Sequence, residues 1–190
     1  MLLFYQDKEL KLKIVSWPLK IKKRPFSRFY LSILLYVVRK ALQGMYKYDA
    51  YSKEQLEQLG SDFSLGLTAS DAGPSFILQI TEDKNKKSFK YLGTFKKLPG
   101  FKPDLKVQLK SIGSAMQIFT FAESVAQGEA NSRFIADGPL EAACTFVRIL
   151  ERTEIILLPR FIAKRAVKRY ASFKNLTKLR AQLYSKVIFG

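Results

Sequence analysis

The spacing of apolar side chains changes period several times along the chain, and each change marks an element. Leu10, Leu12 and Ile14 alternate with Lys11 and Lys13, a short strand or extended arm that Pro18 ends. From Pro25 to about Tyr46 the period is helical, with Pro25 suited to the first turn and Gly44 to the end. Phe26, Phe29, Tyr30, Ile33, Leu34, Val37 and Val38 share its apolar stripe. Leu31, Leu35 and Tyr36 thicken that stripe, so the helix is either packed on two sides or set into a membrane interface. Residues 51–60 then predict a short polar helix.

From Phe63 the period falls to two. Phe63, Leu65 and Leu67 alternate with Ser64, Gly66 and Thr68, which predicts a half-buried strand. The turn Asp71-Ala72-Gly73-Pro74 leads to a second strand with Phe76, Leu78 and Ile80 inward. A polar turn over 83–87 precedes a third strand from Phe89 to Thr94. Pro99, Gly100 and Pro103 break the chain before Leu105, Val107 and Leu109 alternate in a fourth. Strands that meander at this spacing are expected to pair antiparallel.

Two short helices follow, over about 111–121 and 123–130, then a short strand at 133–136. Asp137-Gly138-Pro139 opens a long helix, with Pro139 and Glu141 both suited to its N-terminal end. Pro159 interrupts the helical run, and the tail beyond it fits two basic amphipathic helices.

The order of these elements resembles the sterol carrier protein type 2 family of lipid-binding domains over about residues 51–150. Residues 103–150 carry the likeness: Pro103 to Leu109 looks like the family's fourth strand, Ile112 to Phe121 like the helix after it, and Arg133 to Gly138 like its small strand followed by glycine. The resemblance implies an α+β fold, an antiparallel sheet of about five strands covered by helices on one face. It also implies an apolar tunnel for lipid tails and no catalytic residues. The long N-terminal helix and the basic tail lie outside the shared part; bacterial members with such a preceding helix resemble accessory lipid carriers in quinone biosynthesis. The domains expected are a basic arm with an apolar helix (1–50), a lipid-binding domain (51–158) and a basic amphipathic tail (159–190).

On that resemblance the candidate lipid-binding residues are Phe63, Leu65, Phe76, Leu78, Leu105, Val107, Met116, Phe119, Phe121, Phe134, Val147 and Leu150. The residues themselves leave open whether these surround a cavity or fill a core.

Charge adds the partner. The chain has 33 Lys and Arg against 16 Asp and Glu, a net +17, and residues 1–50 and 151–190 each carry +8. A near-neutral middle with basic ends points to an anionic partner met by the arms. In the tail, Arg160, Lys164, Arg165, Lys168, Arg169, Lys174 and Lys178 alternate with large apolar side chains, which suits an anionic membrane surface better than water alone. The chain is expected to be cytoplasmic and peripheral at the inner membrane surface. The apolar run Phe29 to Val38 is too short to span a bilayer, and no cleavage site marks a signal peptide.

The absence of histidine removes the commonest general base, zinc ligand and pH switch, so an enzyme is not expected and neither a cofactor nor a metal is called for. Cys144, the only cysteine, sits by Ala142, Ala143 and Phe146 and reads as a small buried hydrophobe. Glu151 and Glu154 read as helix-face partners of Arg148 and Arg152. No loop has the glycine spacing of a phosphate cradle. The alternative functions are a nucleic-acid-binding protein using the same cations, which lacks a groove-reading or stacking signature, and a non-catalytic assembly subunit that presents a lipid to partner enzymes.

Overall fold

A computed structural model describes residues 25–70, 73–83, 86–119, 122–123, 125–158 and 176–189. The strand expected at residues 10–15 and the tail residues 159–175 lie outside them. The described elements are α1 (Pro25–Tyr48), α2 (Ala50–Glu57), β1 (Ser64–Ala69), β2 (Ser75–Asp83), β3 (Lys86–Gly93), β4 (Leu105–Leu109), α3 (Ile112–Phe119), α4 (Val125–Ala130), β5 (Phe134–Asp137), α5 (Leu140–Leu157) and α6 (Leu176–Phe189). The fold class is α+β.

The strands form one sheet in the order β3-β2-β1-β4-β5. It is mixed, which corrects the expectation of an antiparallel sheet: β1 pairs with β4 in parallel, Leu65 opposite Leu105 and Leu67 opposite Val107. The remaining pairs are antiparallel. A parallel pair needs a crossover, and residues 94–104 supply it. Gly66 makes room, since a Cβ there would lie 2.5 Å from the Phe95 ring and 2.8 Å from Pro103. Asp104 anchors the far end, its carboxylate accepting from the Ser64 amide at 2.8 Å and hydroxyl at 2.6 Å. β1 thereby becomes the middle strand, buried along its whole length.

Alternation sends Phe63, Leu65, Leu67, Phe76, Leu78, Ile80, Phe89, Leu105, Val107 and Leu109 into one core with side chains from α1, α3 and α5. α1 packs against β2, β3, α3 and α5. Its core face is Leu31, Leu35, Leu42 and Tyr46, while Phe26, Phe29, Tyr30, Ile33 and Tyr36 of the opposite face are exposed. The two-sided apolar pattern of this helix is therefore one packed face and one open face. Gln43 Nε2 donates to the Phe89 carbonyl at 2.9 Å and fastens the helix to edge strand β3.

α6 closes the C-terminal half of α1. Leu183 is fully buried with Ala41, Met45 and Ile156, and Gly44 lets it approach, a Cβ at that position lying 3.3 Å from Leu183 Cδ1. Arg180 donates to the carbonyls of Ile156 (2.7 Å), Ile155 (3.2 Å) and Leu158 (3.2 Å), satisfying the last turn of α5.

Arg152 does not pair along its own helix as the sequence suggested. It crosses to Asp49, the N-cap of α2, with Nε donating at 2.7 Å and Nη2 at 2.9 Å, and it stacks on Tyr51. Burial raises the Asp49 carboxyl, but hydrogen bonds from Arg152 and Ser52 outweigh it and hold the group below its ordinary range. The pair's contribution is therefore fully present above that range and lost as pH falls from it through the lowered folded-state value. Glu154 is the opposite case. Its Oε2 is buried with no hydrogen-bond partner among the described residues, and burial, aided by the charge of Glu151, pushes its pKa up to about 8.

Two stability measurements follow from these groups. Arg152→Ala leaves the Asp49 carboxylate buried and unpaired and is expected to cost about 3 kcal/mol in urea unfolding, with part recovered in the Asp49→Ala double variant. Glu154 keeps a proton in the folded chain that the unfolded chain releases, so stability falls as pH rises from about 4.5 toward about 8. Glu154→Gln should raise Tm by about 5 °C or more at pH 8 and change it little at pH 5; equal shifts at both pH values contradict the assignment.

Candidate functional site

The helices cover the sheet unevenly. Over β1, β4 and β5 a pocket of about 300 Å³ remains between the strands, α3 and α5. Its floor is Leu67 of β1, Val107 and Leu109 of β4, and Phe134 and Ala136 of β5. The register explains the grouping: Leu67 lies opposite Val107, Val107 opposite Ala136, and Leu109 opposite Phe134. One wall is Ile118 and Phe119 of α3, and the roof is Leu140, Ala143, Cys144, Phe146, Val147, Arg148 and Leu150 of α5.

The sequence of α5 accounts for its double duty. Ala142, Ile149, Thr153 and Ile156 are buried on one stripe, and Leu140, Ala143, Val147 and Leu150 recur at helical spacing on another, which faces the pocket. Thr153 satisfies its hydroxyl on the Ile149 carbonyl at 2.7 Å. The entry into the helix is fixed by Gly138, whose φ of 148° favours glycine and where a Cβ would sit 2.4 Å from the Asp104 carbonyl oxygen. That close contact sets the first turn of α5 against the start of β4.

Beneath the roof, α4 braces the wall. Gly128 packs on Ile118, where a Cβ would lie 3.0 Å from Cδ1. Arg133 donates to Glu123 through Nε at 3.0 Å and Nη2 at 2.8 Å, which holds the Glu123 carboxyl below its ordinary range. The pocket opens where β5 meets the first turn of α5: Ala136, Leu140 and Cys144 are all exposed, Leu140 to 80%. The Cys144 thiol is thus an exposed group on the pocket wall, which corrects its reading as a buried hydrophobe.

Of the candidates named from sequence, Val107, Phe119, Phe134, Val147 and Leu150 come together on this pocket. Phe63, Leu65, Phe76, Leu78 and Leu105 are in the packed core and do not line it. Met116 is half-buried on α3 away from the lining, and Phe121 lies outside the described residues. Sequence reasoning missed Leu67, Leu109, Ile118, Ala136, Leu140, Ala143, Cys144, Phe146 and Arg148. Alternation with Val107 was a sufficient signal for Leu109, and helical spacing from Val147 for Ala143.

Of the tail cations, Arg160, Lys164, Arg165, Lys168, Arg169 and Lys174 fall outside the described residues, and Lys178 is exposed on α6. Among the described residues no group of three metal-ligating side chains occurs, and no helix is long and apolar enough to cross a membrane.

No protein-family model and no curated protein matches the sequence at significance. Among solved structures, the chain is similar to one titled "UbiJ-SCP2 Ubiquinone synthesis protein", with 13% identity over 63% of this chain and 96% of that one and a TM-score of 0.41. It is similar to the sterol carrier protein domain 2 of Helicoverpa armigera, at 13% identity over 61% of this chain and 84% of that one with a TM-score of 0.38. It is also similar to sterol carrier protein 2 from Yarrowia lipolytica in its apo form, at 16% identity over 61% and 88% with a TM-score of 0.37.

Proposed function

We propose that the protein is a non-catalytic lipid-binding protein that holds a hydrophobic chain in the pocket under α5. The observation that carries this reading is an opening of about 300 Å³ whose walls are apolar side chains from five elements, with Cys144 and Arg148 as the only polar side chains among the described residues that line it. Apolar walls with few placed polar groups are the usual make-up of a small-molecule site. They hold a chain by excluding water and supply no acid–base pair. In this reading residues 51–158 carry the pocket, and the basic segments 1–50 and 159–190 bring it to an anionic membrane at the cytoplasmic side. Transfer between membranes and presentation to a partner enzyme both use the same two surfaces.

The open face of α1 supports membrane docking. Phe26 is 87% exposed and Phe29 69%, with Tyr30, Ile33 and Tyr36 continuing the stripe. The helix carries Arg28, Arg39, Lys40 and Lys47 and no acidic residue. Arg39 stacks on Tyr36 and on Tyr91 of β3, 4.9 and 4.0 Å from the ring centres. Aromatic side chains beside cations suit the headgroup boundary of an anionic bilayer.

Two experiments test the halves separately. The full chain should bind 1-dodecanol, followed by displacement of Nile red, and Ala143→Phe should abolish that binding while changing Tm little. No uptake by the unaltered chain would contradict the pocket reading. In co-sedimentation, binding to phosphatidylcholine vesicles should rise with added phosphatidylglycerol, and Phe29→Ser with Ile33→Ser should cut it about tenfold or more. Binding indifferent to anionic lipid would leave that face to a protein partner.

A further inference from the structure

The sheet ends in two edge strands, and they are not alike. β3 is guarded: it carries Lys87 and Lys90, and Gln43 of α1 occupies its Phe89 carbonyl. β5 lacks such cover. Among the described residues no strand lies on its outer side, and it carries no lysine. Ile135 is 53% exposed, with Ala136, Asp137 and Leu140 exposed around it.

The pairing with β4 fixes which backbone groups of β5 face outward. Lys110 donates to the Arg133 carbonyl at 2.9 Å, and two and four residues further along the ladder Gln108 lies opposite Ile135 and Lys106 opposite Asp137. Hydrogen-bonded pairs alternate along an antiparallel ladder, so Ile135 and Asp137 turn their backbone groups to β4, whereas those of Phe134 and Ala136 point away from the sheet. That outer row is complementary to itself. Two copies set antiparallel about a two-fold axis at Ile135 exchange both hydrogen bonds between Phe134 of each and Ala136 of the other. On the pocket face a ring then meets a methyl group. On the opposite face Ile135 meets its own copy, and Arg133 lies across from Asp137 of the second copy. Arg133 uses only Nε and Nη2 on Glu123, and Asp137 has no ion pair among the described residues.

Charge selects the occupant. From residue 133 to residue 144 the charged side chains are Arg133, Asp137 and Glu141. One cation against two carboxylates offers nothing to an anionic bilayer or to nucleic acid, whereas an identical strip in reverse matches it. We infer that β5 is a self-association edge, through which two copies of the chain pair in antiparallel register centred on Ile135 and join two five-stranded sheets into one. Because Phe134 and Ala136 also form the pocket floor, each floor continues into that of the second copy, and the two mouths open side by side. The inference is independent of what the pocket holds. The strand is short, so the association falls at the weak end of specific interfaces.

Sedimentation equilibrium of the full chain should show a mass that rises from one chain toward two as concentration increases. Ile135→Lys sets like charges face to face at the axis and should weaken the association about tenfold or more, with Tm little changed because the side chain is exposed. The register is tested in a Cys144→Ser background. Ile135→Cys should form a disulfide-linked dimer under mild oxidation, since facing Cα atoms of a non-hydrogen-bonded pair lie about 4.5 Å apart, within the span of a disulfide. Leu92→Cys, exposed on the opposite edge strand, should not. A chain that stays single at every concentration, an association indifferent to Ile135→Lys, or equal cross-linking of the two cysteine variants overturns the inference.

Discussion

The organisation of this molecule depends on a single unequal fit, between one apolar sheet face and the helices that cover it. Over β2 and β3 the fit is close: α1 lays Leu42 and Tyr46 onto the core, the Tyr46 ring 5.8 Å from that of Phe89. Over β4 and β5 it is not. There the lining contains Ala136, Ala143 and Cys144, small side chains where a closed core needs large ones. The space between α5 and the sheet follows from that choice of residues.

Much of the fold can be read from the order of elements, because the period of the apolar positions switches from helical to alternating and back at sharp turn signals. The sheet's mixed pairing could not be. Alternation tells which side chains share a face and says nothing about which strand lies beside which. The deciding feature is the crossover at residues 94–104, and its signal in sequence is small: Gly66, in the middle of a strand, where a neighbouring chain segment passes close. The same limit explains the site. Leu65 and Leu67 alternate alike on one strand, yet Leu65 is in the packed core and Leu67 reaches the pocket, a division that depends on where α1 ends its coverage and α5 begins.

Side-chain partners were less legible still. The spacing of Glu151, Arg152 and Glu154 suggested pairing along one helix, but Arg152 reaches a partner more than a hundred residues away in the chain, at the cap of α2. That long contact is charge-assisted and partly buried, so it outweighs what an exposed helix-face pair contributes. With Arg152 on Asp49, Glu154 Oε2 is left buried and without a hydrogen-bond partner among the described residues. The two apolar faces of α1 show the converse limit. Hydrophobic spacing gave one stripe from Phe26 to Val38 and a thickening at Leu31, Leu35 and Tyr36, whereas the face that meets the sheet is Leu31, Leu35, Leu42 and Tyr46.

The central claim is that the space under α5 belongs to a lipid. Native mass spectrometry of the purified full chain, with extraction and identification of whatever is released on unfolding, tests it most directly. The account predicts one amphiphile per chain, held under gentle conditions and lost on denaturation. A bare polypeptide that also takes up nothing from a total lipid extract would contradict it.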